Sequence, residues 1–160
     1  ELLVASSCSK NFAVYRERVG AISVVCNSAQ KASDVVTVIN SLTRKNYSMP
    51  PTHGTGIIDI ILHSDELTAL WRDEVAGMRN RINGLRKTLS AKITEAGIEK
   101  DFSFLQRQSG MFSFLGLSVD QVRRLREEFS IYTVNSARVN IASFNDSNID
   151  YFIKALKTVL

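Results

Sequence analysis

Ser7-Cys8-Ser9-Lys10-Asn11-Phe12, followed closely by Arg18, is the stretch that decides how this chain folds. The short apolar run 2–5 precedes it and predicts a strand buried on both faces, and a second apolar run, 19–26, follows it. A lysine at the end of a buried strand suits covalent chemistry, because an amine becomes a nucleophile when its surroundings favour the neutral form. The neighbouring hydroxyl groups and the guanidinium of Arg18 suit a phosphate, since they offer neutral donors and a planar charged fork.

This stretch resembles the cofactor-lysine segment of the pyridoxal-phosphate-dependent aminotransferases, and is closest to their aspartate and aromatic amino acid branch. Residues 7–12 and Tyr15-Arg16-Glu17-Arg18-Val19-Gly20 carry the resemblance, and later segments match in order. The resemblance implies that pyridoxal 5'-phosphate is the cofactor. It implies that Lys10 forms the covalent link to the cofactor and moves the catalytic proton, and that Ser7 and Arg18 hold the cofactor phosphate. A solvated lysine after a strand is the structural alternative.

Composition bounds the class of protein. Hydrophobic residues make up 44% of the 160-residue chain and charged residues 22%, which are ordinary globular values. No apolar run approaches the roughly 20 residues needed to cross a bilayer, so no membrane partner is expected. The net charge is +4, but basic residues are interspersed with acids and no stacking motif or basic tract is present, which argues against a nucleic-acid partner.

The cysteine and histidine content indicates the compartment and argues against metal chemistry. Cys8 and Cys26 do not form a disulfide framework, so a reducing, cytoplasmic location is expected; a mitochondrial or other organellar location stays open. His53 and His63 lack the ligand spacing of a structural metal site, so no metal is expected.

The extent of the resemblance predicts the domain organisation. It covers all 160 residues, but these correspond only to the carboxyl-terminal part of the family's usual length, and Glu1 lies inside a predicted strand. We therefore expect a fragment of an α/β enzyme of the pyridoxal-phosphate-dependent transferase fold, inactive by itself. Residues 1–77 would end the large domain with its mixed or parallel sheet, and residues 78–160 would form a small α+β domain. A long helix, about 65–96, would bridge the two.

Periodicity and capping signals predict the other elements. In chain order these are a helix from Asn27 or Ser28 to about Leu42, a loop over 43–51, a buried helix over 57–62, strands over 102–105 and 111–114, a helix opened by a capping box at Ser118, strands over 131–134 and 138–142, and a helix from about Asp146. Arginines 72, 79, 81 and 86 are expected to form a solvated face of the long helix.

Arg44 is the first predicted substrate contact. Its segment resembles the family's Arg-x-Asn-Tyr-Ser loop, which crosses the interface of a homodimer. The resemblance implies that Arg44 acts in the neighbouring subunit's site and pairs with the distal carboxylate of a dicarboxylic substrate. A guanidinium fork suits this role, because it binds a carboxylate bidentately and discriminates against substrates that lack one.

Arg138 and Phe112 are predicted at the other end of the substrate. Strand alternation puts Arg138, Asn140 and Ala142 on one face, and a buried arginine there needs an anion. By the resemblance Arg138 binds the substrate α-carboxylate, although Ala137 replaces the family's usual glycine. Phe112 matches a residue on the substrate side, with core packing as the alternative.

The function implied is transamination between an L-amino acid, aspartate or glutamate, and a 2-oxo acid. The Arg44 and Arg138 pair favours a transaminase over a lyase, decarboxylase or racemase, because a keto acid must be bound as well as an amino acid is. An aromatic amino acid aminotransferase is the alternative within the branch. A non-enzymatic basic binding module is the alternative outside it.

Overall fold

The computed structural model describes residues 1–160, which divide into two compact units, Glu1–Val75 (the first unit) and Ala76–Leu160 (the second unit). The helices are α1 (Ala29–Asn46), α2 (His53–Leu62), α3 (Asp65–Glu95), α4 (Phe104–Arg107), α5 (Val119–Phe129) and α6 (Ile149–Val159), and the strands are β1 (Leu2–Ser7), β2 (Gly20–Val25), β3 (Phe112–Phe114) and β4 (Arg138–Asn140). No helix combines the length and apolar character needed to cross a bilayer.

An antiparallel hairpin opens the first unit. β1 and β2 pair from Leu2 opposite Val25 to Ser7 opposite Gly20, which confirms the two predicted strands. The prediction that β1 is buried on both faces is wrong for this chain, because every β1 residue is exposed and Leu3 is 69% exposed. The physical reason is that the sheet has only these two strands, so their apolar side chains have few neighbours to pack against.

Helix α1 begins where predicted but ends later. Ser28 is its N-cap and its hydroxyl accepts a backbone N–H in the first turn. The helix ends at Asn46 rather than near Leu42, so Arg44 lies in its last turn and not in the predicted loop. Arginine and lysine are good helix formers and are favoured near a helix C-terminus, and the left-handed φ of 66° at Ser48 follows the helix end.

Helix α2 forms over the predicted apolar run, but its burial was predicted wrongly. Only Gly54 is buried, and Ile60 is 65% exposed. Thr52 occupies the N-cap position without a side-chain capping bond.

The long helix is confirmed as α3. The Ser64 hydroxyl accepts the Leu67 N–H at 3.3 Å at its start. Gly97, with a φ of +68°, follows its end, in the left-handed region that glycine adopts at low cost. The boundary between the two units falls within this helix.

The second unit has a closed hydrophobic core. The Ser118 capping box is present, and α6 buries Ile149, Phe152, Ile153 and Leu156, while Leu160 after its end is exposed. These side chains pack in one cluster with residues from the C-terminal part of α3, from α5 and from β4. The core residues are Leu89, Ile93, Phe102, Leu105, Leu115, Leu117, Val122, Leu125, Ala137, Val139, Ile141, Phe144, Ile149, Phe152, Ile153, Ala155, Leu156 and Val159.

Two predicted strands of the second unit are wrong. Residues 102–105 lead into the helical turn α4 instead, where the Asp101 carboxylate accepts the Ser103 N–H at 2.7 Å and favours a turn. Residues 131–134 are not a strand, and the carbonyl of Arg138 accepts the Thr133 hydroxyl at 2.7 Å.

Strand β3 therefore pairs with β4, in antiparallel register. The strand predicted over 138–142 is shorter in the structure, because β4 ends at Asn140, whose side chain accepts the Ala142 N–H and begins a 3₁₀ turn over Ile141–Ser143. The predicted alternation of burial is confirmed, since Val139 and Ile141 are buried and Arg138 is exposed.

Candidate functional site

The connection between β1 and β2, residues 8–19 (the lysine loop), carries Lys10. The Cys8 N–H donates to the Val19 carbonyl at 2.9 Å, which closes the base of the loop. At the last position of β1, the Ser7 hydroxyl donates to the Ser9 hydroxyl at 3.0 Å and accepts the Ser9 N–H at 3.2 Å. These bonds hold both hydroxyl groups at the strand end, next to the lysine.

Lys10 is exposed at a tight turn of this loop. The Ala13 N–H donates to the Lys10 carbonyl at 3.2 Å, and Ala13 has a left-handed φ of 56°. The Lys10 ammonium lies 3.8 Å from the centroid of the Tyr15 ring, a cation–π distance. The amine is therefore ordered against an aromatic face at the surface of the first unit.

Trp71 anchors the loop from α3, a role that the sequence analysis missed. Its indole N–H donates to the Asn11 carbonyl at 2.7 Å, and its ring stacks on Phe12 with centroids 4.5 Å apart and an interplanar angle of 8°. A sequence signal was available, because an indole N–H usually finds a partner when its ring is partly buried.

Arg18 closes the lysine loop on the β2 side. It is exposed, has a left-handed φ of 55°, and donates to the Tyr15 carbonyl at 3.0 Å. No carboxylate lies within ion-pair distance of it. The residues on either side, Glu17 and Val19, pack directly on Gly54 of α2.

These groups fit a phosphate. Ser7 at the end of β1, together with Ser9 and Arg18 of the lysine loop, supplies two hydroxyl groups and a guanidinium without a carboxylate partner. Within the chain the Ser7 hydroxyl donates to Ser9, so it would have to rotate to donate to a phosphate. Such a set matches a dianion, because hydroxyl groups donate neutral hydrogen bonds and arginine donates charge-assisted ones. Lys10, which follows Ser9 in the chain, adds an amine.

Arg44 lies apart from this loop in sequence, exposed in the last turn of α1. No carboxylate of the chain pairs with it either. The structure thus places Ser7 at the end of β1, Lys10 and Arg18 on the lysine loop that follows it, and Arg44 at the end of a helix of the same unit.

Arg138 and Phe112 come together in the second unit. Phe114 pairs with Arg138 and Phe112 with Asn140 across β3 and β4, and the Arg138 guanidinium carbon lies 4.8 Å from the centroid of the Phe112 ring. Phe112 is 39% exposed, so the structure does not bury it in the core. Ala137 has a φ of 56°, which explains why glycine is usual there in the family.

Arg138 and Phe112 both line a cavity of about 570 Å³. Its wall is mainly apolar and aromatic, with Tyr132 and Tyr151 contributing, and it includes the side-chain amide of Asn140. An apolar cavity with a few polar groups and one cation at its edge is typical of a site for a small anionic molecule.

Arg86 corrects the prediction of a solvated arginine face. Its side chain is 1% exposed, and burial lowers the pKa of its guanidinium. It donates to the carbonyls of Leu105, Gly110 and Phe112 at 3.1, 2.8 and 3.1 Å and to the Ser113 hydroxyl at 2.7 Å. A signal was available in the sequence, because Arg86 is one turn before Leu89 and so lies on the apolar face of α3.

Residues 1–156 match the family model described as aminotransferase class I and II. The chain is 46% identical to the aspartate aminotransferase of Salmonella typhi over 160 residues, which is all of this chain and 40% of that protein. It is 43% identical to the aromatic-amino-acid aminotransferase of Pseudomonas aeruginosa, over 99% of this chain and 40% of that protein. The crystal structure of an aromatic-amino-acid aminotransferase from Burkholderia pseudomallei, covalently bound to pyridoxal phosphate, superimposes with a TM-score of 0.88 at 46% identity, over 99% of this chain and 40% of that one.

Proposed function

Because this chain belongs to the aminotransferase class I and II family, we propose that it provides the reactive lysine and the substrate arginines of an enzyme that transfers an amino group between L-aspartate or L-glutamate and a 2-oxo acid. The chain spans about 40% of the length of the relatives it matches, so the activity proposed is that of the full-length enzyme. We propose that residues 1–77 belong to its large domain and residues 78–160 to its small domain. The observation that carries the proposal is the lysine loop, in which the exposed Lys10 amine lies against the Tyr15 ring and the Arg18 guanidinium has no carboxylate partner.

The lysine loop fits pyridoxal 5'-phosphate. Ser7 and Arg18 would hold the phosphate, and Lys10 would hold the aldehyde end. When bound, the cofactor supplies a ring that accepts the electron pair left when a proton leaves the substrate α-carbon. The substrate amino group would take the place of Lys10 on the aldehyde carbon, which would free the Lys10 amine to remove the proton from the substrate α-carbon and deliver it to that aldehyde carbon, as general base and then general acid. The Tyr15 ring and the Trp71 bond to Asn11 restrict the loop, which keeps the amine in position for the transfer.

The arginines recognise the substrate by its two acid groups. Arg138 binds the α-carboxylate, with Phe112 as the aromatic surface beside it. Arg44 binds the distal carboxylate in the site of the other subunit of a homodimer. Both guanidinium groups are exposed and make no ion pair within the chain, so a substrate carboxylate would not have to displace a protein carboxylate.

The experiment that tests the function compares Lys10→Ala with Lys31→Ala in the full-length enzyme. Lys31 is an exposed lysine of the same unit whose ion pair with Glu1, at 3.4 Å, is on the surface. Lys10→Ala should lower transamination by at least about 100-fold, the lower bound expected from losing a general base. Borohydride reduction followed by mass spectrometry should place the cofactor on Lys10 in the wild type and in Lys31→Ala. Retained turnover in Lys10→Ala, or a label on another lysine, would refute the role of Lys10.

An aromatic substrate is the second candidate, favoured by the 43% identity to the Pseudomonas aeruginosa aromatic-amino-acid aminotransferase. The ratio of kcat/KM for L-phenylalanine to that for L-aspartate, measured on the full-length enzyme, separates the two. A ratio above one would assign the enzyme to aromatic substrates.

A further inference from the structure

Arg86 is a buried cation without a buried anion. Its side chain is 1% exposed, and all its hydrogen-bond partners are backbone carbonyls or a hydroxyl. Taking a guanidinium out of water is costly unless its donors are satisfied, and only its Nε lacks a partner. A lysine could not make this set of bonds, because it lacks the planar fork with five N–H donors.

Every acceptor of Arg86 lies in one short segment, 105–113. The Leu105 carbonyl is in α4, the Gly110 carbonyl is in the turn before β3, and Phe112 and Ser113 are in β3 itself. The Ser113 hydroxyl in turn donates a hydrogen bond to the Gln108 side-chain oxygen at 2.6 Å. Arg86 therefore holds the segment 105–113, which leads into and includes part of β3, against helix α3.

Strand β3 is held on its inner face by Arg86 and at its two ends by backbone bonds, from the Ile141 N–H to the Met111 carbonyl at 2.7 Å and from the Leu115 N–H to the Ala137 carbonyl at 3.0 Å. It has three residues and pairs only with β4. Ser113 faces inward and is 2% exposed, while Phe112 faces outward under the Arg138 guanidinium. A shift of the Phe112 carbonyl or of Ser113 would thus move the Phe112 ring. Because the Arg138 guanidinium packs on that ring, the guanidinium would lose its support on one face.

We propose that Arg86 is a positioning residue for the substrate α-carboxylate. By fixing the backbone of β3 it holds the Phe112 ring, and through that ring Arg138, in the geometry that receives the carboxylate. The inference rests on the proposed function of Arg138. Arg86, a residue of helix α3 that donates only to protein groups, would thereby contribute to the affinity for substrate.

The test uses the full-length holoenzyme and the binding of succinate, a dicarboxylate that lacks the reacting amino group. Arg86→Lys should raise the Kd of succinate and the KM of L-aspartate by about tenfold, and change kcat less, because misplacing a binding group weakens binding. Cofactor affinity should not change, since Lys10 and Arg18 lie in the first unit. Ser113→Ala, which removes one acceptor, should raise the same two constants by a smaller factor.

Val159→Ala controls for a general loss of stability, because Val159 is buried in the same core and lies on α6, away from β3 in sequence. It should lower the melting temperature and leave the Kd of succinate unchanged. An equal rise of Kd in Val159→Ala and Arg86→Lys would reduce Arg86 to a structural residue and overturn the inference, as would an unchanged Kd in folded Arg86→Lys. If Arg86→Lys does not fold, Ser113→Ala decides in the same way.

Arg138→Lys separates this inference from the proposed function. If Arg138→Lys weakens succinate binding and Arg86→Lys does not, only the positioning role fails. If Arg138→Lys leaves succinate binding unchanged, the assignment of the α-carboxylate to Arg138 fails, and the inference fails with it.

Discussion

The contact of α2 with the lysine loop makes Gly54 a sensitive position. A Cβ added at Gly54 would lie 2.5 Å from Val19 Cγ2 and even closer to Glu17 Cβ, the residues on either side of Arg18. Carbon atoms in contact normally lie about 3.5–4.0 Å apart, so Gly54→Ala requires the loop or the helix to move by about 1 Å or more. Overpacking of this kind costs about 1–3 kcal/mol, against a gain of about 1 kcal/mol from replacing a helical glycine.

The net effect should therefore be a loss of up to about 2 kcal/mol, borne by the segment that carries Arg18. Gly56→Ala is the matched control, because it lies on the same helix and nothing comes within 4 Å of an added Cβ. In the full-length enzyme, Gly54→Ala should lower the melting temperature of the cofactor-free form and raise the Kd of pyridoxal 5'-phosphate by about tenfold, the equivalent of 1.4 kcal/mol. Gly56→Ala should raise the melting temperature and bind the cofactor as the wild type does.

Two results would refute this reasoning separately. If Gly54→Ala melts like Gly56→Ala, the close packing on Glu17 and Val19 is not rigid. If Gly54→Ala is destabilised but its Kd for pyridoxal 5'-phosphate is unchanged, Arg18 does not hold the phosphate.

Three further changes test other parts of the molecule. Arg44→Gln should lower kcat/KM for L-aspartate by at least about 30-fold, because one partner of a charge pair is lost, and should affect L-phenylalanine much less; equal losses would contradict the role of Arg44. Ser118→Ala removes the capping box of α5 and should destabilise the enzyme by about 1 kcal/mol in urea unfolding, so an unchanged midpoint would show that the cap contributes nothing. The Ser103 backbone N–H donates to the Asp101 carboxylate and lowers the pKa of Asp101 in the folded state. This hydrogen bond therefore stabilises the fold at pH values above the unfolded-state pKa of about 3.9, and its contribution is lost as the pH falls through the lower folded-state pKa. Asp101→Asn should be less stable than the wild type at pH 7 and approach it in acid, and a constant difference between pH 7 and pH 3 would contradict this.

Local signals in the sequence predicted local structure well. Ser118 was identified as a cap, and Ser28 was one of two candidates for the cap of α1, because a capping bond joins residues close in the chain. The length of α3 followed from the spacing of its apolar residues, and the alternation in 138–142 predicted the burial of Val139 in β4 and of Ile141 just after it. Each of these features depends on side chains within a few residues of one another.

Features that depend on distant partners were predicted less well. Arg86 lies on the apolar face of α3, which indicates burial, but its acceptors are between 19 and 27 residues away, so nothing near it in the chain shows which groups it binds. The run 102–105 alternates like a strand, but a side-chain bond from Asp101 stabilises a turn there, and β3 pairs with β4 instead. Alternation over four residues does not specify a partner strand, and without one the turn is favoured.

The two units differ in how many of their apolar side chains are buried within the unit. In the second unit most apolar side chains of α5 and α6 meet in one core, and Leu125 and Leu156 are fully buried. In the first unit the same kind of pattern stays exposed, with Leu3 at 69% and Leu42 at 60% exposed, and of its large apolar side chains only Val14 is buried. Exposed apolar surface on both a sheet and its neighbouring helices is unfavourable in water, and large apolar patches normally mark a surface that another structure covers.

The lysine loop joins β1 and β2, the two strands whose apolar side chains form part of this exposed surface. The geometry of Ser7, Lys10 and Arg18 therefore depends on β1 and β2 being held by packing that these 160 residues do not supply, which is why every test of the lysine proposed above uses the full-length enzyme.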